Sequence, residues 1–282
     1  MRKRISFISV LTMFLAIGFV IIFSRPVKAA ANGVILKSNR TYAAYDVTGD
    51  GMKDKIRIRA ANQTDDEAYA SLTVSVNGKT AYRLKNTRFY NVIANIYTLK
   101  NGQTFLYLYA PAENGDGPVC ALLKYTNGKF RKILDFTEIM AGYGNHRIGE
   151  VTNLNGNKIV ITESIVSYSL GINAINFTYK YVNGKFVPTS RYGSYKEIYS
   201  ADGSSRYFTV NSDLPAYTRP DATAVNTTLK TGSLTKIIKC ALISGKMYIQ
   251  LECDGEIYWI KALENPPIAD NERQFMEVRY AG

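Results

Sequence analysis

Short runs of alternating apolar and polar residues, separated by Asn-Gly pairs, are the main pattern along this chain. The pairs begin at Asn77, Asn101, Asn127, Asn155 and Asn183. Runs rich in Val, Ile, Tyr and Thr flank them, such as LTVSV before the first pair and KIVITES after the fourth. Asn-Gly accepts positive φ at both centres of a type I′ turn, whose twist matches the strands that it joins. The pattern therefore predicts a row of antiparallel β-hairpins over residues 34–195.

The spacing of these hairpins limits what they can build. Two hairpins make about one four-stranded propeller blade, and residues 34–195 hold only three or four such units. The fold class is therefore all-β, with a partial propeller, a curved sheet or a sandwich as the alternatives. The interval ILDFTEIMAGYGNHRIGE at 133–150 lacks clean alternation and has helical apolar spacing, which predicts a short helix or a covering loop there.

A second pattern begins near Tyr207. Five β-like runs follow, at residues 207–210, 215–218, 236–242, 247–252 and 256–260. Residues 196–206 are polar and rich in Gly and Ser, which predicts a linker between two domains. The tail, 263–282, carries a Pro-Pro pair and many charges, and we expect it to pack loosely.

Residues 207–262 resemble a bacterial SH3 domain. The resemblance is carried by LPAYTRPDA at 214–222, TLKTGSLTKII at 228–238 and the closing DGEIYWIKA at 254–262. Tyr258 departs from the family, which usually has Gly there. The resemblance implies a small SH3-like β-barrel in an exported protein, often a wall-binding module. It places a ligand site at Tyr217, Tyr258 and Trp259.

The N-terminus has the pattern of a secretory signal peptide. Arg2, Lys3 and Arg4 precede an apolar run, and Val27-Lys28-Ala29 supplies small residues at the cleavage positions. We expect residues 1–29 to be removed, with cleavage after Ala31 as the second choice. The alternative is an uncleaved membrane anchor, since the run approaches the ~20 residues that span a bilayer. Either way the rest of the chain lies outside the cytoplasm.

Composition and charge narrow the class of partner. The 282 residues are 46% hydrophobic and 21% charged, which excludes a disordered or multi-span membrane protein. The net charge is +12, and losing the five basic residues of the signal peptide leaves +7. A basic exported protein meets anionic envelope polymers or surface proteins more readily than nucleic acid, although the charge could serve solubility alone. We expect a monomer.

The segment DVTGDGMKD, which begins at Asp46, has the spacing of a calcium loop. Its candidate ligands are the side chains of Asp46, Thr48, Asp50 and Asp54 and the carbonyl of Met52. Calcium takes six to eight oxygen ligands, and the glycine at 51 allows the sharp turn between them. Position 12 of the loop is Arg rather than the Glu of an EF-hand, and an alternating strand pattern follows.

Residues 45–58 resemble the calcium loops of FG-GAP/VCBS repeats in a β context, and the resemblance carries these five ligands over. Such families have several loops per chain, whereas this chain has one good copy. A structural calcium ion is the expectation, and an Asx-rich turn without an ion is the alternative.

Candidate catalytic residues are few. His146 is the sole histidine, Cys120 lies in an apolar strand run, and Glu138, Glu150 and Glu163 have no spacing that defines a glycosidase pair. The cysteines at 120, 240 and 253 lack CxxC spacing and are expected to be buried thiols.

Three hypotheses follow for the function. The first is a non-enzymatic envelope protein whose SH3-like module binds peptidoglycan or another wall polymer. The second is a glycan or peptidoglycan hydrolase with its catalytic residues in 34–195. The third is an adhesin-like module that binds a protein.

Overall fold

The computed structural model describes residues 34–64, 66–113, 115–200 and 203–280, and most of them lie in antiparallel sheets. The all-β class is confirmed. The helices in these ranges are two 3₁₀ turns, Phe136–Glu138 and Asp270–Glu272, and the first lies where the apolar spacing predicted a short helix. The predicted signal peptide, residues 1–29, lies outside the described residues.

Membrane-spanning helices were searched for separately. No helix within the described ranges is both long and apolar enough to cross a bilayer.

Two sheets form the first part of the fold. Sheet A is a sequential meander of β2 (Thr41–Tyr45), β3 (Asp54–Gln63), β4 (Tyr69–Val76) and β5 (Lys79–Phe89). Sheet B has the order β1-β6-β7-β8-β9, with strands β1 (Val34–Ile35), β6 (Ile93–Thr98), β7 (Thr104–Ala110), β8 (Val119–Thr126) and β9 (Lys129–Asp135). Strand β1 precedes sheet A in the chain but pairs with β6 at the edge of sheet B.

Sheet C is the largest and follows the main order β10-β11-β12-β14-β19-β20-β21. The remaining strands are β10 (Gly144–Asn155), β11 (Lys158–Ser167), β12 (Gly171–Val182), β13 (Lys185–Pro188), β14 (Tyr192–Ser200), β15 (Gly203–Ser204), β16 (Tyr207–Thr209), β17 (Leu214–Ala216), β18 (Thr227–Leu229), β19 (Leu234–Ile243), β20 (Lys246–Cys253) and β21 (Glu256–Lys261). Strands β13, β15 and β16 pair with β12, β14 and β19, respectively. Among the described strands, β17 and β18 form a separate two-stranded sheet.

The Asn-Gly pairs make the predicted hairpins, but not all in the same way. The pairs that begin at Asn77, Asn127 and Asn183 have positive φ at both residues, as a type I′ turn requires. Asn155 instead pairs with Lys158, so that Gly156 and the next residue form the turn. At Asn101 the strands are joined by a five-residue loop, since β6 ends at Thr98 and β7 begins at Thr104.

Sheet B is buried on both faces, and this stacks the three sheets. One face of β7 contributes Leu106 and Leu108 to a core shared with sheet A. The other face contributes Phe105, Tyr107 and Tyr109 to a core shared with sheet C. Consecutive strand residues point to opposite faces, so a continuously apolar strand such as TFLYLYA suits the middle layer.

Tyrosine hydroxyls tie sheet B to sheet C. The Tyr107 hydroxyl donates to the Gly149 carbonyl at 2.8 Å, and the Tyr97 hydroxyl donates to the Val151 carbonyl at 3.4 Å. Burial raises the pKa of Tyr97 to about 12, so its hydroxyl keeps its proton and can donate. These rings are structural and fill the space between layers.

The predicted linker at 196–206 is wrong as far as it is described. Residues 196–200 belong to β14, which pairs with β12 on one side and with β19 on the other. Gly193 sits at this junction because a Cβ there would lie 2.4 Å from the Phe177 ring. Gly193, just before this stretch, thus permits the close packing of β14 on the Phe177 ring.

Residues 207–262, which were predicted to form an SH3-like barrel, have the predicted strands but pair in a different arrangement. The five predicted β-like runs correspond to β16, β17, β19, β20 and β21. Within the described residues they do not form a closed barrel, because β19, β20 and β21 extend sheet C. The β17–β18 hairpin is joined to β21 by an isolated bridge between Tyr217 and Trp259.

The three cysteines are free and buried, as predicted. Cys240 lies opposite Ile249 across the β19–β20 hairpin, whereas Cys253 lies opposite Thr235. The two thiols of this hairpin therefore do not face each other.

The C-terminal tail packs against the sheets, which corrects the expectation of loose packing. Phe275 is fully buried and its ring centroid lies 5.6 Å from that of Phe208. Val210 forms a bridge with Phe275, and Ser200 forms one with Val278. The apolar residues after the charged stretch thus hold the tail in the main core.

We expect Phe275→Ala to lower the free energy of unfolding by about 3–5 kcal/mol, because it leaves a cavity in this core. Met276→Ala is the matched control, since its side chain is half exposed, and should change stability by less than about 0.5 kcal/mol. Urea unfolding measures both. Equal effects would contradict the packed position of the tail.

Candidate ligand-binding groove

The predicted calcium loop lies between β2 and β3 and is closed by hydrogen bonds to its own carboxylates. Asp46 accepts from the backbone N–H of Gly49 at 2.6 Å and of Gly51 at 2.8 Å. Asp50 accepts from the N–H of Met52 at 2.8 Å. Burial raises the pKa of the Asp46 carboxyl, but the N–H groups of Gly51 and Gly49 lower it, and the pKa is lowered overall.

Asp54 is the buried anchor of this loop. Its side chain accepts from the N–H groups of Val47 at 2.8 Å and Thr48 at 2.9 Å, and from the Asn77 amide at 2.7 Å. Asn77 in turn accepts from the N–H of Lys55 at 2.8 Å. Asp54 therefore fixes the loop to the β4–β5 turn through hydrogen bonds alone.

The carboxylates of the loop do not gather around one point in this conformation. Among the described residues no group of three or more His, Cys, Asp or Glu side chains is arranged to hold a metal ion. Calcium binding at Asp46, Thr48, Asp50, Met52 and Asp54 stays a prediction. The hydrogen bonds described above already fix part of the loop conformation without an ion.

Cys120 lies in the core between sheets B and C. Its thiol is 3.4 Å from the Gly149 carbonyl and 3.8 Å from the Tyr107 hydroxyl. Burial, with a contribution from the charge of Glu163, raises the pKa of the thiol to about 12. A nucleophilic cysteine needs a lowered pKa, so this environment opposes catalysis by Cys120.

The three candidate glutamates are not brought together. Glu163 pairs with Gly149 and points into the core, whereas Glu150 pairs with Thr162 on the opposite face of sheet C. Glu138 is exposed in the 3₁₀ turn. Two carboxylates on opposite faces of a sheet cannot flank one glycosidic bond.

Glu163 is a buried acid without a partner. It is 0% exposed, and neither of its carboxyl oxygens has a hydrogen-bond partner. Burial, offset only in part by the charge of Arg147 and reinforced by Asp135, raises its pKa well above the ordinary value. An ionised carboxylate here would be costly, so the group is held as the neutral acid over a wide pH range.

The predicted SH3 ligand residues divide into two sets. Tyr217 and Trp259 exchange two backbone hydrogen bonds of 2.8 Å and are both largely buried. Together with Ala241 and Tyr248 they form a small cluster on the outer face of sheet C, the face turned away from sheet B. Tyr258 lies on the other face and packs against the main core.

A groove of about 320 Å³ opens beside this cluster on the same outer face, and we call it the Tyr192 groove. Its lining consists of Val160, Asn176, Thr178, Thr189, Ser190, Tyr192, Gly193, Ser194 and Lys239. The lining comes from β11, β12, β14 and β19, so the groove spans the two domains that the sequence predicted. The β14–β19 register brings it together by placing Ser194 opposite Lys239.

Positive charge surrounds the aromatic edge of the Tyr192 groove. The Lys239 amine lies 4.5 Å from the centroid of the Tyr192 ring and 5.9 Å from that of Trp259. The Arg191 guanidinium lies 5.2 Å from the Tyr192 ring centroid. Among the described residues no carboxylate pairs with Lys239, whereas Arg191 lies 4.0 Å from a carboxylate oxygen of Asp221.

Several hydrogen-bonding groups of the groove are already oriented. The Thr162 hydroxyl donates to Asn176 at 2.7 Å, and the Thr189 hydroxyl donates to the Thr178 carbonyl at 3.1 Å. The Ser190 hydroxyl accepts from the N–H of Tyr192 at 3.1 Å. Such groups retain further donor or acceptor capacity and fit a ligand rich in hydroxyl groups.

No family model, curated protein or solved structure matches this chain.

Sequence reasoning missed Tyr192 and Lys239. Tyr192 stands in the stretch RYGSY, close to the predicted linker, and Lys239 stands in a strand with no ligand motif. Only the register between distant strands brings the two side chains together. The alternation of Tyr192 and Ser194 was the available signal, since it indicates a strand face rather than a linker.

We expect Asp54→Ala to destabilise the protein by on the order of 2–4 kcal/mol in calcium-free buffer, because three donors lose a buried acceptor. Asp50→Ala should cost less than about 1 kcal/mol, since Asp50 is exposed and makes one such bond. Calcium binding would add a rise in thermal midpoint with millimolar calcium that Asp50→Ala abolishes. The same rise in that variant would argue against the loop as the site.

The neutral form of Glu163 makes stability depend on pH. The pKa of Glu163 is raised in the folded state. The folding stability that its protonated form contributes is therefore fully present below the unfolded-state pKa, and it is lost as the pH rises through the folded-state pKa. We expect the urea midpoint of the wild type to fall from pH 5 to pH 9 relative to that of Glu163→Gln. Parallel pH profiles for the two proteins would show that Glu163 is not held neutral.

Proposed function

We propose that this protein is an exported, non-enzymatic component of the cell envelope that binds an anionic, hydroxyl-rich wall polymer through the Tyr192 groove. The observation that carries the proposal is the position of the Lys239 amine over the Tyr192 ring, beside hydroxyl and amide groups. The sequence supports export through its N-terminal pattern, and it supports an anionic partner because the net charge of +12 falls only to +7 without residues 1–29.

The groove has the three features that a charged glycan requires. Hydroxyl and amide side chains from β12 and β14 can exchange hydrogen bonds with sugar or polyol hydroxyls. The Tyr192 ring offers an amphipathic surface at its edge. Lys239 and Arg191 supply charge to an anionic group, and the contribution of such exposed charges decreases with salt.

Binding without catalysis fits this site better than hydrolysis. The Tyr192 groove contains no carboxylate among its lining residues. A hydrolase of the usual kind needs two carboxylates that face the same bond. The candidates Glu150 and Glu163 face opposite sides of sheet C.

Co-sedimentation with purified cell walls tests the proposal. We expect the wild type to be retained at moderate ionic strength and to be released as salt increases. Lys239→Gln should weaken retention about tenfold, the effect of losing one charge-assisted hydrogen bond. Lys246→Gln is the control, since it makes the same charge change at an exposed turn outside the groove.

Two results would reject wall binding through this groove. One is a wild type that stays in solution at moderate salt. The other is equal retention of the two lysine variants, which would mean that only net charge matters. Retention by a surface protein instead of the polymer, after the walls are stripped of protein, would favour the adhesin-like alternative.

A further inference from the structure

A second cleft lies at the other end of strand β11. It encloses about 270 Å³, and its lining consists of Asn145, His146, Val166, Tyr168, Pro266, Pro267, Arg273 and Tyr280. We call it the Arg273 cleft. The C-terminal tail builds one of its sides, so the cleft exists only because that tail is packed against sheet C.

Hydrogen bonds and ring contacts hold the walls of the Arg273 cleft. The Tyr280 hydroxyl donates to the Tyr168 carbonyl at 2.7 Å, and the Tyr168 hydroxyl donates to Asn145 at 3.3 Å. The Arg273 guanidinium lies 5.5 Å from the Tyr280 ring centroid and 3.1 Å from an Asp270 oxygen. Asp270 is 90% exposed at its side chain, so it neutralises Arg273 only weakly.

His146 adds an imidazole ring to this cleft, beside the Arg273 guanidinium. It lies at the irregular start of β10, with φ of 52°, where the register against β11 shifts. Its Nδ1 is 3.3 Å from a carboxylate oxygen of Asp116. The cleft thus combines a guanidinium, an imidazole and an amide with two aromatic rings, a set that suits an acidic sugar.

The Arg273 cleft and the Tyr192 groove open on the same face of β11. Val160 lines the groove and Val166 lines the cleft. The β11–β12 register runs without a shift from Lys158 to Ser167, so residues an even number apart point the same way. Six residues of strand place the two sites about 20 Å apart.

The surface between the two sites is polar. Ser164 is half-buried on this face of β11, whereas Thr162 is 2% exposed and donates its hydroxyl to Asn176. The half-buried Glu150 lies beside Thr162 on β10. Burial raises the pKa of Glu150, while the charge of Lys196 lowers it and that of Glu197 raises it. A chain that crosses between the two sites would therefore meet the Ser164 hydroxyl and the Glu150 carboxyl, whose charge is offset by Lys196.

We propose that the Tyr192 groove and the Arg273 cleft are two subsites for one linear acidic glycan, which lies along the outer face of β11. This rests on the proposed function and adds a second site and a minimum length to it. A chain that reaches both subsites gains the second contact as an intramolecular step, so its affinity exceeds that of a chain confined to one.

Oligogalacturonides of defined length are the probe, measured by isothermal titration calorimetry on the whole protein. The disaccharide is too short to span both subsites and the hexasaccharide is long enough. We expect the hexasaccharide to bind the wild type at least tenfold more tightly. Arg273→Gln should remove most of this length advantage, because the hexasaccharide then gains little from reaching the Arg273 cleft.

Arg279→Gln is the matched control, since Arg279 is exposed on the same tail and does not line the cleft. Asn145→Ala is a second cleft variant at an exposed residue, for use if Arg273→Gln lowers the thermal midpoint. It should also reduce the length advantage.

The outcomes separate this inference from the proposed function. Equal affinity for both lengths, or an unchanged length advantage in both cleft variants, overturns the two-subsite arrangement while wall retention through Lys239 stands. If the protein is retained on walls but binds neither galacturonide, the proposal of two subsites for one acidic glycan is overturned and the proposed function stands. A protein that is not retained on walls and binds neither length overturns both proposals.

Discussion

The pairing of β14 with β19 is the constraint on which the rest of this structure depends. Three residue pairs, from Tyr192 with Ala241 to Ser194 with Lys239, join the hairpin region to residues 207–262 in one sheet. The pairing requires a residue without a side chain at 193, because the Phe177 ring occupies the space where a Cβ would lie. The Tyr192 groove is a direct consequence of this register.

Stacking of the three sheets places sheet B between sheets A and C. Sheet B contributes opposite faces to two cores, so sheets A and C are held through it rather than by direct contact of their cores. Its tyrosines add hydroxyl bonds to carbonyls of β10. This dense middle layer also encloses Glu163, whose neutral form links stability to pH.

The main core and the two clefts lie on different faces of sheet C. The inner face packs aromatic and aliphatic side chains against sheet B and carries Glu163, whose pKa is raised by burial. The outer face carries hydroxyls, Lys239 and the two clefts along β11. Parity along the strands places Glu150 on the outer face and Glu163 on the inner face.

Local patterns in the sequence determined the strands, most hairpin turns and the buried thiols, because these depend on neighbours along the chain. The calcium loop, export and wall binding remain predictions from motifs and charge. The tertiary structure alone decided that residues 196–200 form a strand, that the tail packs through Phe275, and that Tyr192 meets Lys239. The physical reason is that these features depend on contacts between residues far apart in sequence, and no local pattern specifies which strands pair.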